Sequence, residues 1–161
     1  MSPIPTPPVT WHEDAERARE RGSRIDRFIP PFLLNSPISL VGYWYGTAVG
    51  WVWGTIWSTG RVEKREGLWV FGGMPQWAFG RGGVCVGGCF LTGEVRPSDL
   101  VLRHEAVHAR QWRTYGFLMP LMYAIAGRNP LRNWFEIEAG LEDGNYVPRP
   151  RPRGRKVTER E

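Results

Sequence analysis

The sequence predicts an α+β fold in which a small antiparallel or mixed sheet packs on a helix carrying His104 and His108, with a following glutamate-bearing helix and a long Gly/Trp-rich helix nearer the N-terminus. Three observations predict it. Ile38 to Thr59 is an apolar, aromatic-rich run with Gly42, Gly46, Gly50 and Gly54 at every fourth position. Leu68 to Gly93 breaks into short apolar pieces separated by glycines, and helix start and stop signals return from Pro97 onward. A chain of 161 residues, 42% of them hydrophobic, favours one compact core.

The first ten residues are proline-punctuated and expected to be unstructured, while His12 to Arg27 interleaves acids with arginines as a short solvated helix does. His12 reads as an ordinary surface residue of that segment. No apolar h-region occurs in the first thirty residues, so no secretory signal is expected and the chain reads as cytoplasmic or membrane-associated. The run that follows has no charged residue between Arg27 and Arg61. As one helix its glycines form a flat ridge for a membrane surface or a partner helix. Four helical glycines each cost about 1 kcal/mol relative to alanine, so outside contacts must hold the helix together. Its aromatics are spread along the run instead of gathering at the ends, which argues against a simple membrane span and leaves a scaffold helix as the alternative.

Leu68 to Phe71, Gln76 to Phe79 and Val84 to Leu91 read as strands. Cys85 and Cys89, placed on one such strand, point to the same face about 13 Å apart, too far for a disulfide unless the strand bends at Gly87-Gly88. They read as buried structural thiols. Gly80 to Gly83 lacks the lysine and hydroxyl of a phosphate-binding loop. Pro97-Ser98-Asp99 starts a helix and Tyr115-Gly116 stops it. Phe117 to Ala126 is a second apolar stretch, and a last helix is expected from near Asn133 to Gly144. The expected organisation is thus a flexible or helical charged segment over 1–30, the apolar helix over 31–61, a metal-binding core over 62–147 and a disordered basic tail over 148–161. The formal charge of +5 owes much to that tail, and no recognised nucleic-acid motif accompanies it, so no specific nucleic acid is expected. Attraction to an anionic surface fits better.

His104-Glu105-Ala106-Val107-His108 carries the chemistry. Residues four apart lie about 40° apart around a helix, so both imidazoles can share a metal ion, with zinc the expected cofactor. Glu105, about 100° from His104, stands where a carboxylate can take a proton from metal-activated water. Catalytic zinc needs a third protein ligand. No histidine follows His108, and Gln111 stands where the longer three-histidine motif has glycine. Glu136 and Glu138 remain, and positions two apart point about 200° from each other, so only one faces the metal. Glu136, followed by the small Ala139 and Gly140, is preferred, and Glu138 is the rival. Two histidines buried without metal are the bland alternative.

The stretch Leu102-Arg103-His104-Glu105-Ala106-Val107-His108-Ala109-Arg110-Gln111-Trp112, then Tyr115-Gly116, then Asn133-Trp134-Phe135-Glu136-Ile137-Glu138-Ala139 resembles the gluzincins, zinc peptidases with HExxH on one helix and a glutamate ligand on a later one. The resemblance covers roughly residues 84 to 144. It implies His104, His108 and Glu136 as zinc ligands, Glu105 as catalytic base, and a peptide or protein substrate. Gluzincins often place an aspartate four residues after the ligand glutamate to orient a histidine. Here Gly140 follows Glu136 at that spacing, whereas Glu142 follows Glu138. The expected function is a zinc-dependent hydrolase, with Val84 to Leu91 pairing an extended peptide along its edge. The alternatives are a zinc-binding or membrane-associated scaffold without turnover and a purely structural partner protein.

Overall fold

A computed structural model describes residues 11–80 and 82–148. The terminal stretches expected to lack structure, 1–10 and most of the basic tail, lie outside these residues. The elements in order are α1 (Trp11–Asp26), α2 (Pro37–Trp57), β1 (Glu63–Arg65), β2 (Leu68–Phe71), β3 (Val84–Val86), β4 (Cys89–Leu91), α3 (Asp99–Tyr115), α4 (Met119–Ala126) and α5 (Trp134–Ala139). This is a mixed α+β fold, as expected from the sequence.

The sheet runs in the order β1-β2-β4-β3, with β2 and β4 parallel and the outer pairs antiparallel. Alternation along the strands sorts two cores. Leu68, Val70, Cys85 and Phe90 meet Leu102 of α3 on one face, while Phe71, Cys89 and Leu91 lie on the other with Trp57 of α2 packed against them. The helix α2 begins at a reciprocal cap, in which the Ser36 hydroxyl accepts from the Ser39 amide and the Ser39 hydroxyl accepts from the Ser36 amide. Its glycine ridge faces inward. A β-carbon at Gly46 would lie 2.9 Å from the Trp112 ring of α3, and one at Gly50 would lie 2.8 Å from the Cys89 β-carbon. Gly42 and Gly54 meet the Gly116-Phe117 main chain and the Phe71 ring just as closely. The ridge expected to receive a membrane or a partner helix is therefore covered by this chain's own core, and that expectation is corrected for these four glycines. No helix among the described residues is long and apolar enough to cross a membrane.

Local chemistry explains the other departures. Val84 to Leu91 is a hairpin and not one strand, because Gly87 takes φ of 59° and its turn docks on α2, where the Thr47 hydroxyl accepts from the Gly88 amide at 2.9 Å. Cys85 and Cys89 consequently join cores on opposite faces of the sheet. Both are buried free thiols, and burial pushes Cys89 up to about 12. Gln76 to Ala78 forms a single 3-10 turn after Pro75 instead of a strand. The short polar strand β1 has no apolar signal; Glu66 and Gly67, both at positive φ, turn it back onto β2. Nor is α1 merely solvated, since Ala15 and Ala18 pack with Ile137 and Leu141 and place α1 against α5. The last helix ends at Ala139, where Gly140 adopts φ of 97° and its amide donates to the Glu136 carbonyl.

Candidate metal centre

The site is assembled by two helices whose starts are set locally. Ser98 caps α3 by accepting from the Val101 amide, and Asp99 complements the positive end of the helix. One face of α3 drives Leu102 into the sheet core with Ala106 and Ala109 packed against it. On roughly the opposite side of the helix, His104, His108 and Gln111 share the face turned toward α5. Asn133 caps α5 by accepting from the Phe135 amide at 3.0 Å, and its own amide donates to the Gly127 carbonyl at 2.8 Å. This double anchor fixes where Glu136 emerges.

His104, His108 and Glu136 come together as a buried group that could hold a metal ion. His104 Nε2 lies 3.1 Å from His108 Nε2 and 3.1 Å from Glu136 Oε2, and His108 Nε2 lies 3.5 Å from Glu136 Oε1. Donors each ~2.0–2.1 Å from one tetrahedral ion stand about 3.3 Å apart, so these separations suit a shared cation.

Proton accounting points the same way. His104 Nδ1 is 3.0 Å from the Gly140 carbonyl, which can only accept, so Nδ1 carries the proton and Nε2 presents a lone pair. The Gln111 side-chain amide donates to the Phe135 carbonyl at 3.1 Å and to Glu138 Oε2 at 2.9 Å, which turns its oxygen to His108 Nδ1 at 2.7 Å. His108 Nε2 is thereby a lone pair too. Two lone pairs and a carboxylate converge, and Glu136 Oε2 is buried without a hydrogen-bond partner among the described residues. A buried cluster of acceptors is relieved by positive charge, which a bound metal ion or a proton on an imidazole supplies. Burial works against the Glu136 carboxylate, but the two imidazoles beside it favour its charged form and hold it well below the usual carboxylate range. Burial likewise opposes an imidazolium at His108, yet the neighbouring Glu136 carboxylate raises its pKa. The pocket's potential attracts positive charge.

Glu105 is 9% exposed beside this group, and burial raises its carboxyl against the pull of the His108 and His104 charges. Glu138 does not join the imidazoles; its carboxylate is engaged by Gln111. Four contributors escaped sequence reasoning. Gln111 had a readable signal, standing three residues after His108 on the same helical face. The Gly140 carbonyl occupies the role for which an aspartate side chain was the reference, and only the chain reversal after α5 brings it there. Tyr123, inside an apolar run, donates its hydroxyl to Glu136 Oε1. Tyr146 approaches from the last turn, its ring centre 5.9 Å from that of His104. The edge strand β3 is partly used internally, because the Trp112 indole donates to the Cys85 carbonyl at 3.0 Å.

Comparison with known proteins finds no matching family model, no matching curated protein and no matching solved structure.

Proposed function

We propose that this chain is a zinc-dependent hydrolase, with peptide bonds as its substrate class. The reading is carried by one observation: two imidazole lone pairs and the partly orphaned Glu136 carboxylate converge on one point, each oriented from behind, with Glu105 on the same helix. Two nitrogens and one carboxylate oxygen are a donor set that suits zinc, and three protein ligands leave the open position catalysis needs. His104, His108 and Glu136 would hold the ion. Bound zinc supplies Lewis acidity, polarising a carbonyl and lowering the pKa of water toward ~7.

The chain's own residues do the remainder. Gly140 and Gln111 keep the Nδ1 protons of His104 and His108 in place, which leaves each Nε2 free to bind. Glu105, its carboxyl raised by burial, accepts a proton from the attacking water and returns it to the leaving amine. Tyr123 donates to Glu136 and so limits the carboxylate's charge and orientation.

A second reading, a zinc site without turnover, is favoured by the exclusion of solvent: His104, His108 and Glu136 are only 2%, 7% and 3% exposed. The two readings separate on Glu105. Purified chain should carry about one zinc, lost in His104→Ala. Glu105→Gln should retain zinc but lose cleavage of a peptide library. Undiminished cleavage would exclude Glu105 as the base, and no cleavage by the zinc-loaded wild type would favour the closed site.

A further inference from the structure

The outer side of α2 is unlike the polar exterior of an ordinary globular helix. With the glycine ridge pressed inward, Tyr45, Val49 and Val52 are exposed at 62%, 46% and 63%. Phe28 to Gly60 contains no charged side chain to relieve them. The face does not end with α2. The ring of Phe117 lies 5.5 Å from that of Tyr45, and Leu121 and Ile125 follow four and eight residues later, exposed at 58% and 48%. One apolar surface therefore spans α2 and α4, segments far apart in sequence. Surfaces of this kind mark an interaction site.

Charge selects the occupant. The segments 27–62 and 106–135, which carry the face, contain no aspartate, glutamate or lysine, so their charged residues are all arginines. Arg132 is paired with Asp14. Arg27, Arg61, Arg113 and Arg128 are exposed, and Arg113 lies over the Tyr43 ring at 5.7 Å, on the flank of α2 opposite Tyr45.

We propose that this face docks onto an anionic lipid surface, with α2 and α4 lying in the interfacial plane and the arginines meeting lipid phosphates. The protein body behind the glycine ridge serves as the polar side that an isolated interfacial helix carries itself. Docking in the plane agrees with the lack of any described helix able to cross a membrane. A second copy is the less favourable occupant. A two-fold pairing sets the same patch against itself, bringing arginine rims together with no carboxylate on the face to neutralise them. The inference stands on the surface and does not depend on the hydrolase reading.

The test is co-sedimentation of the full chain with phosphatidylcholine vesicles and with vesicles that also contain phosphatidylglycerol. Binding is expected to the mixed vesicles, with attenuation by salt and much weaker retention on phosphatidylcholine alone. Val49→Asp with Val52→Asp should abolish retention, and Phe117→Ser in the turn before α4 should weaken it, both with an unchanged circular dichroism spectrum. Arg113→Gln and Arg128→Gln should each reduce binding about fivefold. No sedimentation with mixed vesicles, equal affinity for neutral ones, or retention unaltered in the aspartate variant would overturn the proposal. So would a dimer in light scattering that the aspartate pair dissociates while vesicles capture nothing.

Discussion

Gln111 shows how one side chain can set the behaviour of another. Its amide is held by two acceptors, the Phe135 carbonyl and Glu138, and this leaves its oxygen directed at His108. Gln111→Leu keeps the volume but releases the imidazole to rotate. Metal affinity should fall 10–100-fold, as measured by competition with a chromogenic chelator, because the ring must be ordered as the ion binds. Unchanged affinity would remove Gln111 from the site. Asp26 lies further out. It accepts from the Tyr115 hydroxyl at 2.8 Å, while its Oδ1 is buried with no hydrogen-bond partner among the described residues. Burial pushes its carboxyl above 3.8, the Tyr115 bond opposes this, and the charge of Glu138 adds to it. The folded chain therefore binds more protons than the unfolded chain just above pH 3.8, so this residue's contribution to stability falls as pH rises through that window. Asp26→Asn should flatten the corresponding decline in urea midpoint. The same slope in the variant would contradict the assignment.

At the scale of elements, α2 depends on what its glycines admit. Gly42 lets the helix rest on the main chain of Gly116 and Phe117, which cannot swing aside as a side-chain tip can. Gly42→Val gains less than about 1 kcal/mol of helix propensity and forces the two segments apart. Overpacking costs about 1–3 kcal/mol, so the variant should be the less stable in urea unfolding. Equal or greater stability would mean that the contact yields. The opposite face of α2 has no such constraint. The same helix thus combines a closely packed inner ridge, legible from glycine spacing, with an exposed apolar outer surface whose extent appears only once the Phe117 turn leading into α4 is placed against it.

For the whole molecule, the proposed ion would join α3 to α5, elements separated by α4 and by the caps at Asn129 and Asn133. A ligand that binds only the folded chain stabilises it by about 2.7 kcal/mol at a concentration 100 times its Kd. For a domain of this size ~1 kcal/mol corresponds to roughly 2–4 °C. Chelation should therefore lower Tm by about 5–10 °C, and zinc should restore it. The His104→Ala chain should show no difference between the two conditions. An identical Tm with and without zinc in the wild type would argue against a site linked to folding.

The sequence by itself determined the features whose physics is local. Helical pitch put His104 and His108 on one face, the caps at Ser98 and Asn133 started their helices, and glycine at every fourth position made a ridge. Opposite facing of Glu136 and Glu138 was legible, but not which of them turned inward. Tertiary structure decided that, because the orientation of α5 depends on its packing against α1 and on the Asn133 anchor, both made across the fold. It also decided that the Gly140 carbonyl and Tyr123 attend the site, and that the glycine ridge faces this chain's own core. Each is a contact between segments far apart in sequence, and periodicity records which face of an element is apolar without recording what covers it.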